Sequence, residues 1–122
     1  MNQHSINSFK DLLVWQKSIV LVKEIYRLTN SFPEEERFGL TSQMRRASIS
    51  VPSNIAEGWG RMSRRNYIRF LRMSRGSLFE LETQLIITKE LEYIKECDHI
   101  ENLIIEVSKM LNSLVKKLEE KA

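Results

Sequence analysis

Residues 41–76 read TSQMRRASISVPSNIAEGWGRMSRRNYIRFLRMSRG and hold eight arginines, no lysine and a single acid, Glu57, a local net charge of +7. Two helices are legible in this stretch. The first carries Met44, Ala47, Ile49, Val51, Ile55 and Ala56 behind Thr41, a residue suited to an N-cap. Pro52 falls inside it, removes one amide donor and clashes with the carbonyl of Ser48, which predicts a helix kinked at Pro52. Ser48, Ser50 and Ser53 stand ready to return hydrogen bonds to the freed carbonyls. Gly58 and Gly60 bracket Trp59, and Gly58 suits the left-handed position that closes a helix. The second helix is capped by Ser63 and runs to about Leu91. In it Tyr67, Phe70, Leu71, Ser74, Leu78, Leu81 and Leu85 share an arc of about 100°. Ile68, Phe79 and Ile86 form a further apolar edge, more than a monomeric bundle needs.

Towards the N-terminus, residues 1–8 are polar and read as a loose tail, with His4 a solvated tail residue. Ser8 and Asp11 match a capping box that starts a helix near Phe9. Leu12, Trp15, Ile19, Val22 and Tyr26 make one stripe, the expected core face. Phe9, Leu13 and Val20 make a second line, and Val14, Leu21, Ile25 and Leu28 a third. A helix apolar nearly all round must be buried from more than one side, which points to a second subunit. The helix ends around Thr29–Ser31, Phe32-Pro33 opens a connection, and Glu34, Glu35 and Glu36 read as a solvated acidic helical turn.

Towards the C-terminus, Asp98 with Glu101 reads as a capping box for a last helix. Ile100, Ile104, Val107, Leu111, Leu114 and Leu118 follow at spacings of 4, 3, 4, 3 and 4, a heptad seam typical of bundle packing. His99 is a surface residue at the helix start, and the KKLEEKA tail is expected to fray. The expected fold is all-α, an antiparallel up-and-down four-helix bundle in one domain over residues 1–122. Four glycines and two prolines in 122 residues suit long helices better than a many-turned β-fold.

Charge is unevenly spread. Residues 1–40 carry five bases and five acids and residues 77–122 six bases and ten acids, so the overall +3 conceals a polarised chain. The single cysteine, Cys97, has no partner for an internal disulfide, and neither a signal peptide nor an apolar run long enough for a membrane span is present. A soluble cytoplasmic protein is expected, without membrane association.

Catalytic signals are absent. HExxH, CxxC, P-loop and GxGxxG patterns are missing, the two histidines lie far apart, and Glu80 and Glu82 fall on different helical faces. No enzyme, catalytic residue, metal site or cofactor is expected. Glu57 reads as a structural acid that pairs with Arg45, Arg46 or Arg61. The arginines are the functional candidates. Arg61, Arg64, Arg65, Arg69, Arg72 and Arg75 lie within an arc of about 140°, and guanidinium offers planar, bidentate contacts to phosphate or carboxylate that lysine does not. RNA or DNA is the first partner suggested, with Arg45 and Arg46 as additional contacts; Trp59 and Tyr67 offer stacking if exposed, but their wheel and turn positions favour core or turn packing. The rival readings are pairing with acids of a neighbouring subunit and an idle solvated face.

FGLTSQMRRASISVPSNIAEGWG at Phe38–Gly60, with FKDLLVWQKS, YRLTNSFP and FLRMSRGSLFELETQL, closely resembles the four-helix-bundle proteins encoded in intervening sequences of bacterial 23S ribosomal RNA genes. The resemblance spans roughly Phe9 to Leu91 and rests most on QMRRA followed by SxPSNIAEG. Pro52, Asn54, Glu57 and Gly58 belong to that structural signature. It implies an up-and-down bundle assembled as a homopentamer. The chain also looks like the accessory protein of diversity-generating retroelements, a basic pentamer, which implies nucleic acid and a protein partner such as a reverse transcriptase. Neither relationship implies a catalytic residue.

Overall fold

The computed structural model describes residues 6–121, and within them four helices form the bundle, α1 (Leu13–Thr29), α2 (Leu40–Trp59), α3 (Arg64–Glu90) and α4 (Asp98–Glu120). Short 3-10 turns, Phe9–Asp11 and Glu34–Glu36, precede α1 and α2. Each helix packs on two neighbours in the cyclic order α1, α2, α3, α4, and no Cα atoms of the diagonal helices come within 8 Å of each other. Contacts along three neighbouring pairs run in opposite order. Met44, Val51 and Gly58 of α2 meet Thr88, Ser74 and Phe70 of α3. Lys89 and Arg72 of α3 bond Glu101 and Glu119 of α4, and Lys17 and Glu24 of α1 bond Glu106 and His99 of α4. Each of these three pairs is therefore antiparallel. The core they enclose contains Leu21, Ile25, Met44, Val51, Ile55, Leu71, Leu78, Leu81, Leu85, Val107 and Leu111, all sealed from solvent.

The α3 stripe and the α4 seam fall where their periodicities predict, with Leu114 and Leu118 partly buried at the end of the seam. The phase of α1 does not. Its buried line is Val14, Ser18, Leu21, Ile25 and Thr29, while Tyr26 is exposed and Leu12 and Trp15 only flank the core. Two hydroxyls explain the shift. Ser18 donates to the Trp15 carbonyl at 2.7 Å and Thr29 to the Ile25 carbonyl at 2.8 Å, so each enters the core with its proton satisfied by its own helix. The buried line is thus the third apolar line, Val14, Leu21 and Ile25, completed by Ser18 and Thr29.

Several termini also differ from expectation. Ser8 and Asp11 do form the capping box, but it closes a 3-10 turn, and extended backbone at Leu12 separates that turn from α1. Asn7 and Ser8 are tied to the Asp11 carboxylate through their amides, whereas residues 1–5, including His4, lie outside the described residues. Thr41 does not cap α2. The helix starts one residue earlier, and Glu36 reaches forward to accept from the Leu40 amide at 3.1 Å while receiving the Tyr93 hydroxyl at 2.8 Å. Glu36 is thus a structural acid rather than part of a solvated turn. Asp98 is the first residue of α4, not its cap. Glu101 bonds Lys89 instead, and α4 continues through the tail to Glu120.

α2 is one helical element through Pro52. The nearby polar side chains serve it, Ser48 donating to the Arg45 carbonyl and Asn54 to the Ser50 carbonyl, each at 2.9 Å. Gly58 is buried inside the helix rather than left-handed beyond it. A Cβ there would lie 2.7 Å from the Phe70 Cβ, so its glycine is needed for the close approach of α3. The left-handed residue of the α2–α3 turn is Met62, at φ 60°.

Candidate nucleic-acid interface

The basic stretch 41–76 covers α2 and the first half of α3, and the fold divides its arginines into distinct environments. Arg45 is held against α1. Its Nε donates to the Thr29 hydroxyl at 2.8 Å, one Nη donates to the Asn30 side-chain oxygen at 3.0 Å, and the guanidinium lies 4.5 Å from the Tyr26 ring centroid. Thr29 passes its own proton to the Ile25 carbonyl, so a single hydroxyl joins both helices. Arg46 is exposed beside it, in an open depression shared with Phe38 and Ile49. The two are therefore not part of the α3 stripe.

Arg61 pairs with Glu57 at 2.8 Å, which resolves the three candidate partners of that acid, and its guanidinium lies over the Phe70 ring. Both side chains are about half exposed, so the pair adds little stability. Arg75 lies over the Phe79 ring, 5.2 Å from its centroid.

Arg65, Arg69 and Arg72 form the centre of the site. Spaced four and three residues apart, they stack along one face of α3 and, with Asn66 and Met73, line an open groove of about 840 Å³. The position follows from the core. Leu71, Ser74 and Leu78 fix the inner face of α3, with Ser74 donating to the Val51 carbonyl of α2 at 2.8 Å. The arginine line is thereby turned outward on a rigid helix. Among the described residues, Arg64, Arg65 and Arg69 have no acidic side chain within ion-pairing distance, and Arg72 has one, Glu119 from the last turn of α4. Asn66 and Met73 carry no charge or aromatic ring that marks them beforehand, and Glu119 is one of ten acids in residues 77–122. Asn66 and Met73 are seven apart and so share a helical line beside the arginines, the one signal that points to them.

The other reactive groups are engaged structurally. Cys97 is buried and its thiol is pushed up chiefly by burial, which suppresses its thiolate. His99 Nε2 lies 2.7 Å from Glu24, which also binds Arg27 at 2.7 Å. Among the described residues no three His, Cys, Asp or Glu side chains converge as a metal site, and no helix is long and apolar enough to cross a membrane. The groove offers fixed cations, a side-chain amide and a thioether, a set suited to holding an anion with planar edges and lacking a nucleophile or base aligned for reaction.

A family model described as 23S rRNA-intervening sequence protein matches residues 10–113. Among solved structures, a protein of unknown function from the S23 ribosomal protein family of Bacteroides thetaiotaomicron is similar at 28% sequence identity and a TM-score of 0.79, over 85% of this chain and 96% of that one. No curated protein matches.

Proposed function

The chain belongs to the 23S rRNA-intervening sequence protein family, and from that premise we propose that it is a non-catalytic, homo-oligomeric bundle that binds RNA or DNA through the arginine face of α3. The observation that carries this reading is the groove of Arg65, Arg69 and Arg72, where three guanidiniums on one rigid helical line face a single acid of their own chain. Phosphate neutralisation needs no deeper pocket, since a polyanion supplies successive charges along an open surface.

The oligomeric part rests on the surplus apolar faces. Leu13 and Val20 of α1 are 58% and 42% exposed, and Phe79 and Ile86 of α3 are 48% and 55% exposed. α1 and α3 are diagonal in the bundle, so the two patches stand on different helices. A two-fold dimer uses one self-complementary patch, whereas two different patches suit head-to-tail contacts that close into a ring. Five subunits is the number the family resemblance implies. A ring repeats the arginine face once per subunit, and repeated weak contacts on one polymer strengthen each other.

Binding of a labelled duplex and of a single strand across a salt series tests the reading. The affinity falls with a log–log slope of about 0.9 per neutralised phosphate on duplex, and less on a single strand. A salt-independent affinity sinks it. A monodisperse monomer in light scattering at micromolar concentration removes the oligomeric part.

A second reading is favoured by the Arg72–Glu119 contact, in which an acid of the C-terminal half already answers an arginine of the face. In it the bundle is an oligomeric scaffold for a protein partner, with a reverse transcriptase as the example the resemblance supplies, and the arginines serve subunit contacts. Replacing Arg65, Arg69 and Arg72 together then abolishes assembly rather than nucleic-acid affinity.

A further inference from the structure

The α2–α3 turn holds a second feature beside the arginine line. Trp59 and Tyr67 meet edge to face with ring centroids 6.2 Å apart. Together with Gly58, Met62, Ser63 and Arg64 they line an open concavity of about 300 Å³, at the small end of ligand-pocket sizes. Its wall is aromatic and apolar, while Arg64 stands in it and Arg65 follows, both exposed and both without an acidic partner among the described residues. Met62 is 95% exposed at φ 60°. A long thioether is therefore held out in water by a backbone conformation that glycine adopts without strain, and such outliers collect where a chain meets a ligand. The Tyr67 hydroxyl is shut away from solvent with no hydrogen-bond partner.

We propose that this pocket takes one unpaired nucleobase, stacked on the Trp59 indole under the Met62 thioether, with its flanking phosphates on Arg64 and Arg65. The proposal rests on reading the α3 face as a nucleic-acid surface and adds a preference within it. Every base offers a π-face, so stacking on an aromatic ring is tolerant of sequence, and the polarizable sulfur suits the same flat surface. A base inside a duplex must leave its stack and its partner before it enters such a pocket, whereas a base in a single strand or loop is already free. The arginine line then accepts both forms and the pocket favours the single strand.

The test uses the full chain with Trp15→Phe, which leaves Trp59 as the only tryptophan. It is titrated at low salt with a uridine oligomer and a deoxythymidine oligomer of about 12 nucleotides, and with a duplex of the same length. Anisotropy of labelled strands reads binding, and Trp59 emission with unlabelled strands reads stacking. All three bind, and only the single strands quench Trp59. Trp59→Leu and Met62→Gly each weaken single-strand binding about tenfold and leave duplex binding within about twofold. Met62→Gly relieves the positive φ and raises Tm, which separates its loss of affinity from unfolding. Unchanged Trp59 emission at saturation, or equal losses on single strand and duplex, overturns the pocket while the arginine face stands. Failure of all three nucleic acids to bind overturns the arginine reading and the pocket with it.

Discussion

Arg45 on α2 and Arg69 on α3 come from one basic stretch, yet their surroundings are opposite. Arg45 spends its donors on Thr29 and Asn30 and its flat face on Tyr26, so its charge is committed to joining α1 and α2. Arg69 lies over the Phe70 ring of its own helix, has no side-chain hydrogen bond or ion pair among the described residues, and lines an open groove. Arginine density alone therefore does not define a binding surface. What matters is whether the chain already supplies hydrogen-bond acceptors, because only a guanidinium without them retains its full set of donors for phosphate.

The largest effect expected from this contrast is on affinity. Changing Arg65, Arg69 and Arg72 together to Ala lowers nucleic-acid affinity by about three orders of magnitude near 0.1 M salt and reduces the salt slope on duplex by about 3. Arg45→Ala leaves both within about twofold. Anisotropy titrations measure the pair, and equal losses in the two proteins break the distinction between the helices.

Two glycines extend the contrast to packing. Gly58 faces Phe70 and Tyr67 at distances that exclude a Cβ, whereas a Cβ on Gly76, exposed in the middle of α3, would meet nothing beyond its own helix backbone and chain neighbours within 4 Å. Gly58→Ala must push α2 from α3 and costs about 2 kcal/mol, while Gly76→Ala gains about 0.5–1 kcal/mol from helix propensity. Urea denaturation followed by circular dichroism gives both signs. A loss at Gly76 indicates that another subunit approaches the backbone there.

Arg45→Ala then shows in stability what it does not show in binding. Removing its two side-chain hydrogen bonds costs about 1–2 kcal/mol, against no more than about 0.5 kcal/mol for Arg65→Ala, a surface change. The same denaturation experiment compares them, and equal costs place Arg65 in a structural contact.

Much of this was legible beforehand because apolar periodicity survives in α3 and α4. Leu71, Leu78, Leu81 and Leu85, and Ile100, Ile104, Val107 and Leu111, need no partner beyond one another to declare the inner face. α1 was misphased because Ser18 and Thr29 are core residues by virtue of bonds to their own helix. Ser63 caps α3 as expected, accepting from the Asn66 amide, whereas the start of α2 depends on a distant contact. Glu36 reaches the start of α2 from four residues upstream and is fixed by Tyr93 from the α3–α4 loop, a contact across 57 residues that no local motif records. At the site, the outward line of arginines followed from the wheel. The commitment of Arg45 did not, since it depends on Thr29 and Asn30 of another helix.

Tyr67 lies between the closed and open regions and gives the smallest and most specific prediction. Its ring packs at Gly58 and Trp59, but its hydroxyl has no partner, and burial raises its pKa to about 12. The folded state therefore favours the neutral phenol. Its contribution is fully present below the unfolded value of about 10 and is lost as pH rises through about 12. Tyr67→Phe keeps the ring and removes the unsatisfied hydroxyl, so stability at pH 8 rises by about 1 kcal/mol, because no hydrogen bond is given up and a desolvation cost is relieved. Between pH 10 and 12 the variant loses less stability than the parent. Tyr93, raised mainly by its bond to Glu36, is present in both proteins and cancels in the difference. Parallel slopes mean that the phenol reaches water in the folded state. With only the hydroxyl removed and the aromatic wall intact, single-strand affinity is unchanged, so a drop in that affinity assigns the buried hydroxyl to the ligand rather than to the fold.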